Sequence, residues 1–187
     1  MSFTIFKKRS LFERFMGFVL WFTGLSGAGK STVSQGVYQK LKAKGIRVEN
    51  LDGDEVRKNL TKDLGFSKQD REQNLHRVGF VASLLSRNDV GVISAFISPY
   101  QESRDKIREQ ATNFIEVFVD TPLSVCEERD VKGLYKRARA GEIECFTGIS
   151  DPYERPLNPE IVLKTHEEPI EKSVERVMDY LRGQGHI

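Results

Sequence analysis

Continuous apolar runs alternate along the chain with stretches in which apolar positions recur every third or fourth residue, the periods of buried strands and of amphipathic helices. Residues 18–22 form a first apolar, β-prone run, and Val33, Val37, Tyr38 and Leu41 then repeat at helical spacing. Gly45 stops that helix, and residues 46–51 read as a second strand. Ser67 has the look of a helix N-cap, with acidic Asp70 behind it, and Leu75, Val78, Val81, Ala82 and Leu85 form the buried stripe of the helix that follows. Residues 90–97 and 114–120 read as further strands, the former nearly continuous in apolar character as a doubly covered parallel strand should be. Thr121 and Pro122 are expected to be the N-cap and first position of a helix running to Arg129. A fifth strand over 160–164 and a last helix opened by Pro169 complete the pattern, the helix lined inwardly by Ile170, Val174, Val177, Met178 and Leu181. Strands and helices in alternation predict an α/β fold, a three-layer sandwich around a mostly parallel five-stranded sheet.

Two stretches depart from this rhythm. Between Asp130 and Ile149, Lys132, Lys136, Arg137 and Arg139 are followed by Gly141, Phe146 and Gly148, a basic segment with glycines near its ends that suits a lid closing over polyanions. Residues 151–159 are a proline-rich connector. At the other end, residues 1–16 carry Lys7-Lys8-Arg9 before an apolar run, in imitation of a signal peptide. That run continues into the first strand, where cleavage would destroy the chemistry described below, so secretion is rejected. The extension reads as a docking helix, a relic of a fused neighbour or a mobile tail; residues 17–187 are expected to form a single domain with its lid at about 130–149.

Composition narrows the class. With 29 basic and 27 acidic residues the chain is too evenly charged for nonspecific binding of nucleic acid. No stretch of ~18 apolar residues suggests a membrane span. Cys126 and Cys145 make neither a disulfide framework nor a metal-ligand spacing, which points to the cytoplasm. His166 and His186 have no partners by spacing and read as surface residues.

The chemistry centres on residues 24–31, Gly-Leu-Ser-Gly-Ala-Gly-Lys-Ser, which fit the phosphate-loop pattern G-x-x-x-x-G-K-[ST] between an expected strand and an expected helix. The glycines let backbone N–H groups turn toward a polyphosphate. Lys30 supplies a point charge, and the Ser31 hydroxyl is a hard oxygen ligand suited to Mg²⁺. The second strand ends in Asp52-Gly53-Asp54, and carboxyl ends of parallel strands gather ligands. The third strand, residues 90–97, offers no metal-directed aspartate, which shifts metal support and base work toward Asp52 and Asp54. Arg71, Asn74 and Arg77 share a face offset from their helix's apolar stripe. A phosphate loop alone permits a kinase, a hydrolase or a switch; the basic lid and the lack of an Asn-Lys-x-Asp stretch favour a small-molecule kinase.

These motifs occur together with Leu64-Gly65-Phe66-Ser67, Asp70-Arg71-Glu72-Gln73-Asn74, Phe96-Ile97-Ser98-Pro99-Tyr100, Lys132-Gly133-Leu134-Tyr135-Lys136 and Phe146-Thr147-Gly148-Ile149. In this order, from about Gly17 to about Leu181, they closely resemble the adenylyl-sulfate kinases. The resemblance implies transfer of the γ-phosphoryl group of ATP to the ribose 3′-hydroxyl of adenosine 5′-phosphosulfate, giving ADP and the 3′-phosphorylated sulfate donor. It implies that Gly24, Ser26, Gly27, Ala28, Gly29, Lys30, Ser31 and Thr32, with Arg129 and Arg137, bind ATP. It further implies that Asp54 orients or deprotonates the 3′-hydroxyl while Asp52 and Ser31 serve magnesium. On the acceptor side it places Arg57, Arg71, Asn74, Ile97, Ser98 and Lys132, with Phe66 and Phe146 stacked on the two faces of the adenine. A homodimer is implied as well, and a sulfurylase neighbour or fusion partner for the first 16 residues is one reading of that extension. The chain departs from the family pattern at Glu55, His76 and Cys145, where Asn, Arg and Gly are typical; none of these is assigned a role. The alternatives are a kinase for another nucleoside or small alcohol and a regulatory module that binds ATP without transferring phosphate.

Overall fold

The computed structural model describes residues 16–187; apart from Met16, the N-terminal extension lies outside the described residues. Among the described residues the order is β1 (Val19–Thr23), α1 (Lys30–Ala43), β2 (Val48–Leu51), α2 (Gly53–Asn59), α3 (Lys68–Ser86), β3 (Gly91–Ala95), α4 (Gln101–Gln110), β4 (Phe114–Val119), α5 (Leu123–Arg129), α6 (Leu134–Arg139), β5 (Ile161–Leu163) and α7 (Ile170–Gly183). The strands form one sheet in the order β2-β3-β1-β4-β5, parallel at every pairing, which bears out the expected α/β class.

β1 is central and buried at every position because the sheet is covered on both faces. Its side chains alternate between two cores. Leu20 and Phe22 meet Val33, Val37 and Leu41 of α1 and Val174, Val177, Met178 and Leu181 of α7, whereas Val19 and Trp21 join Leu75, Val78 and Ala82 of α3 and Ile107 of α4. These are the three layers that the hydrophobic periods predict.

The topology also makes the crevice. After β3 the chain crosses β1 to reach β4, so β1 lies between two strands whose connections leave in different directions. Ligand sites of open parallel sheets sit outside the strand ends at such a switch. The segments that follow β1, β2 and β3 all border one cleft there.

Several local expectations need correction. Thr121 does not cap α5, whose N-cap is Pro122; the Thr121 hydroxyl instead donates to the Ala28 carbonyl at 3.1 Å and lies 3.1 Å from Thr165 Oγ1. His166 and His186 are half-buried rather than on the open surface: His166 Nδ1 is enclosed, and the His186 ring centroid lies 5.4 Å from that of Phe18. Cys126 is fully buried, as a small apolar residue would be, and Cys145 is exposed, both as free thiols. No helix among the described residues is long and apolar enough to cross a membrane.

Candidate active site

The phosphate loop takes its shape from backbone that only glycine adopts easily. Gly24 has φ +144°, and a Cβ there would lie 2.6 Å from the Val119 carbonyl oxygen; Gly29, the N-cap of α1, has φ +99°. From the underside, Thr121 and Thr165 hydroxyls donate to the Ala28 carbonyl at 3.1 and 2.6 Å, and Tyr135 Oη donates to the Ser26 carbonyl at 2.9 Å. The loop is therefore braced by the segments that follow β4 and β5 and by α6.

Lys30 is folded back on this loop. Its Nζ donates to the carbonyls of Gly24 at 2.8 Å and Leu25 at 2.7 Å, and burial pushes the ammonium down to about 8. It remains largely protonated at neutral pH, with one of its three N–H donors outside these two bonds.

The loop and α1 open onto a cleft of about 500 Å³, which also receives Asp52, Asp54, Arg57, Phe66, Arg71, Asn74, Ile97, Ser98 and Lys132. Asp52 is the N-cap of α2: its Oδ1 accepts from the backbone N–H groups of Asp54 at 2.9 Å and Glu55 at 3.2 Å. One carboxylate oxygen thus fixes the helix while the other lies outside that cap. Asp54 follows in the first turn, exposed and paired with Lys132 Nζ at 3.2 Å, the contact that ties the basic segment to the acidic wall.

Beyond the first turn of α2 the cleft is aromatic and cationic. Phe66 is 60% exposed, an unusual position for a large apolar ring. The Arg57 guanidinium lies 4.4 Å from its centroid and that of Arg71 5.9 Å. Burial, and after it the like charge of Arg71, pull Arg57 below its ordinary value. The carboxylates of Asp54 and Asp70 act on Arg57 in the opposite sense, each more weakly than Arg71, and two guanidinium groups this close favour an anion there. Arg71 also spans to the basic segment, donating to Thr147 Oγ1 at 3.1 Å and the Cys145 carbonyl at 2.5 Å. Asn74 is buried and accepts from Thr61 Oγ1 at 2.8 Å, so it fixes the α2–α3 turn while bordering the cleft.

Some expected site residues lie elsewhere. Gly24 and Ala28 are buried within the loop and do not line the cleft. Arg129 braces it, donating to the Gly27 carbonyl at 3.2 Å and the Thr165 carbonyl at 3.0 Å. Arg137 turns to Glu142 at 3.1 Å. Phe146 does not face the cleft: it is 8% exposed and packs edge-on to Tyr135, ring centroids 5.0 Å apart. Its apolar surface is satisfied by the core under α6. Conversely, Tyr135 and Asp130 line the cleft without having been singled out in the sequence. Asp130 accepts the amides of Tyr135 and Lys136 at 2.9 and 3.0 Å, which hold its carboxyl below the usual range. The turn chemistry of an Asp ahead of Gly133 and a helix was the available signal.

This architecture is shared. The family model for adenylylsulphate kinase matches residues 16–164. A probable adenylyl-sulfate kinase of Pseudomonas aeruginosa is 65% identical over 162 residues, covering 87% of this chain and 76% of its own. The adenylyl-sulfate kinase of Halothermothrix orenii is 56% identical over 171 residues, covering 91% and 92%. Among solved structures, the Mycobacterium tuberculosis APS kinase CysC in complex with AMPPNP and APS superposes with a TM-score of 0.86 at 48% identity, covering 89% of this chain and 98% of that one. With a phosphate loop and a guanidinium and aromatic wall bordering one cleft, and with relatives 56–65% identical over 76–92% of their own length, the chain belongs to the adenylyl-sulfate kinase family.

Proposed function

We propose that the chain transfers the γ-phosphoryl group of ATP to the ribose 3′-hydroxyl of adenosine 5′-phosphosulfate. The observation that carries this reading is that one cleft is lined by a phosphate cradle at Gly27, Gly29, Lys30 and Ser31 and by an acceptor wall at Arg57, Phe66 and Arg71, with Asp54 also on it. Phosphoryl transfer asks a protein mainly to position two reactants and to balance charge, and the two walls divide that work.

On the donor side, the backbone of Gly27 and Gly29 and the hydroxyls of Ser31 and Thr32 meet the ATP phosphates. Lys30 exchanges its two loop carbonyls for phosphate oxygens, a gain because an ammonium prefers an anion to a neutral dipole. The donors present fit Mg²⁺: the Ser31 hydroxyl and the Asp52 oxygen not used in capping are both hard oxygens on this cleft. When bound with ATP, magnesium supplies charge neutralisation at the phosphates. On the acceptor side, the Arg57 and Arg71 guanidinium groups take the phosphosulfate and Phe66 offers a face to the adenine, a contact worth ~1–3 kcal/mol where base stacking has been measured. Asn74 and the loop of Ile97 and Ser98 border the ribose, and Lys132 brings the basic segment over the pair of substrates.

Asp54 orients the 3′-hydroxyl. A carboxylate is a weak base for an alcohol, but the hydroxyl proton leaves late in a loose transition state, so holding the oxygen in line matters more than removing its proton early. Lys132 keeps this carboxylate paired until the acceptor enters. The segment 130–149 acts as a lid within a domain of residues 17–187, and the chain works as a homodimer.

The test is ADP release from Mg²⁺-ATP with adenosine 5′-phosphosulfate, beside AMP and acceptor-free controls. Release that depends on the sulfate ester is expected; equal release with AMP would overturn the acceptor assignment.

A further inference from the structure

We infer that Arg104 is a positioning residue for the reaction: it holds the loop at Ser98, which lines the cleft, in its working conformation from inside the fold. The inference rests on the proposed reading that this loop borders the acceptor. Ser98 has φ +41°, in the left-handed region, and is only 2% exposed. For a residue other than glycine that backbone is unfavourable and persists only when its surroundings hold it.

The holding groups can be named. Trp21 Nε1 donates to Ser98 Oγ at 3.1 Å, and Thr23 Oγ1 donates to the Ile97 carbonyl at 2.8 Å. Arg104 Nη1 donates to the Ser98 carbonyl at 2.6 Å. Its Nη2 reaches Gln101 Oε1 at 2.6 Å and the Glu154 carbonyl at 2.8 Å, tying the loop both to α4 and to the connector that returns from the basic segment. Glu154 answers by accepting the Gln101 amide at 2.7 Å and donating its own amide to the Pro99 carbonyl at 2.8 Å. Tyr153 Oη lies 2.9 Å from Thr23 Oγ1; because the one Thr23 proton goes to Ile97, Tyr153 is the donor.

Arg104 does this at a cost. It is 1% exposed, and its counter-charge Glu116 is 2% exposed in the middle of β4. Nε and Glu116 Oε1 are 2.8 Å apart but out of line for a hydrogen bond, so the pair attracts by charge while the fork of the guanidinium serves the loop. Buried ion pairs are seldom more stable than apolar packing of the same volume. The geometry they fix is the gain, and here it is fixed against the wall of the cleft.

The test compares wild type with Arg104→Lys, which keeps a charge beside Glu116 but loses the fork, and with the double variant Arg104→Gln/Glu116→Gln, which leaves no unpaired buried charge if the lysine protein fails to fold. Steady-state constants are measured for both substrates, together with the emission of Trp21, the only tryptophan of the chain and a direct partner of Ser98. The expected result is an acceptor KM raised at least fivefold with the ATP KM within twofold of wild type, and a shifted Trp21 emission maximum. A lowered melting temperature with both KM values unchanged, or the two raised in parallel, would reduce Arg104 to a stabilising residue. If wild type itself fails to turn over adenosine 5′-phosphosulfate, the functional reading falls while the emission still decides whether Arg104 holds the turn: an unshifted maximum overturns the inference.

Discussion

Phe146 separates two accounts of the basic segment. If its ring only stacks on the acceptor adenine, as the family resemblance implies, Phe146→Ala leaves the ligand-free protein as stable as before. The structure gives a different expectation, because the ring is 8% exposed and packs edge-on to Tyr135, whose hydroxyl braces the phosphate loop at Ser26. Truncating a buried Phe costs about 3–5 kcal/mol. The lower end applies here, since a loop can partly collapse into the space. For a domain of this size about 3 kcal/mol corresponds to a fall in Tm of roughly 6–12 °C. Thermal unfolding followed by circular dichroism, without ligands, reads that number directly. A fall of less than about 2 °C would refute the packing argument and return Phe146 to the cleft.

The remaining expectations concern charge and backbone. Asp54→Asn should lower turnover at least ~100-fold with ATP affinity retained; turnover at the wild-type rate would remove the proposed role. Lys30, held near 8 by burial, loses its proton as pH rises through that value, and since the charged form binds phosphate, ATP affinity should fall above pH 8, approaching tenfold per pH unit; calorimetric Kd values that stay flat across that range would contradict it. Cys145 has φ +54°, in the left-handed region that favours glycine, so Cys145→Gly should relieve strain, stabilise the fold by about 0.5–1 kcal/mol net of the entropy glycine adds, and raise Tm; a lower Tm would show that the thiol packs usefully.

Much of this was legible in the sequence because it rests on period and on punctuation. Apolar runs and helical stripes gave the layers, and the phosphate loop could be placed because its glycines serve the backbone wherever it occurs. Asp52, Arg57, Phe66 and Arg71 come together at the ends of parallel strands and the helices that follow, where topology alone would gather them. What escaped depends on contacts between distant segments. Phe146 reads equally well as a stacking ring or a core ring until Tyr135 is seen beneath it. Thr121 has the spelling of an N-cap, yet the Ala28 carbonyl, in the loop after the neighbouring strand β1, claims its hydroxyl. Arg104 sits on a helix whose one apolar residue is Ile107, and the clue lay elsewhere: Glu116 interrupts the otherwise apolar strand Phe114–Val119, and a carboxylate buried there needs a cation.

The most direct test of the central claim is the position of the new phosphate. Product from Mg²⁺-ATP and adenosine 5′-phosphosulfate is isolated and fragmented in the mass spectrometer. A second phosphate on the ribose 3′ oxygen, with the sulfate retained at the 5′ end, is the outcome this site requires. Phosphate at any other position, or ADP formed without a phosphorylated acceptor, would contradict it.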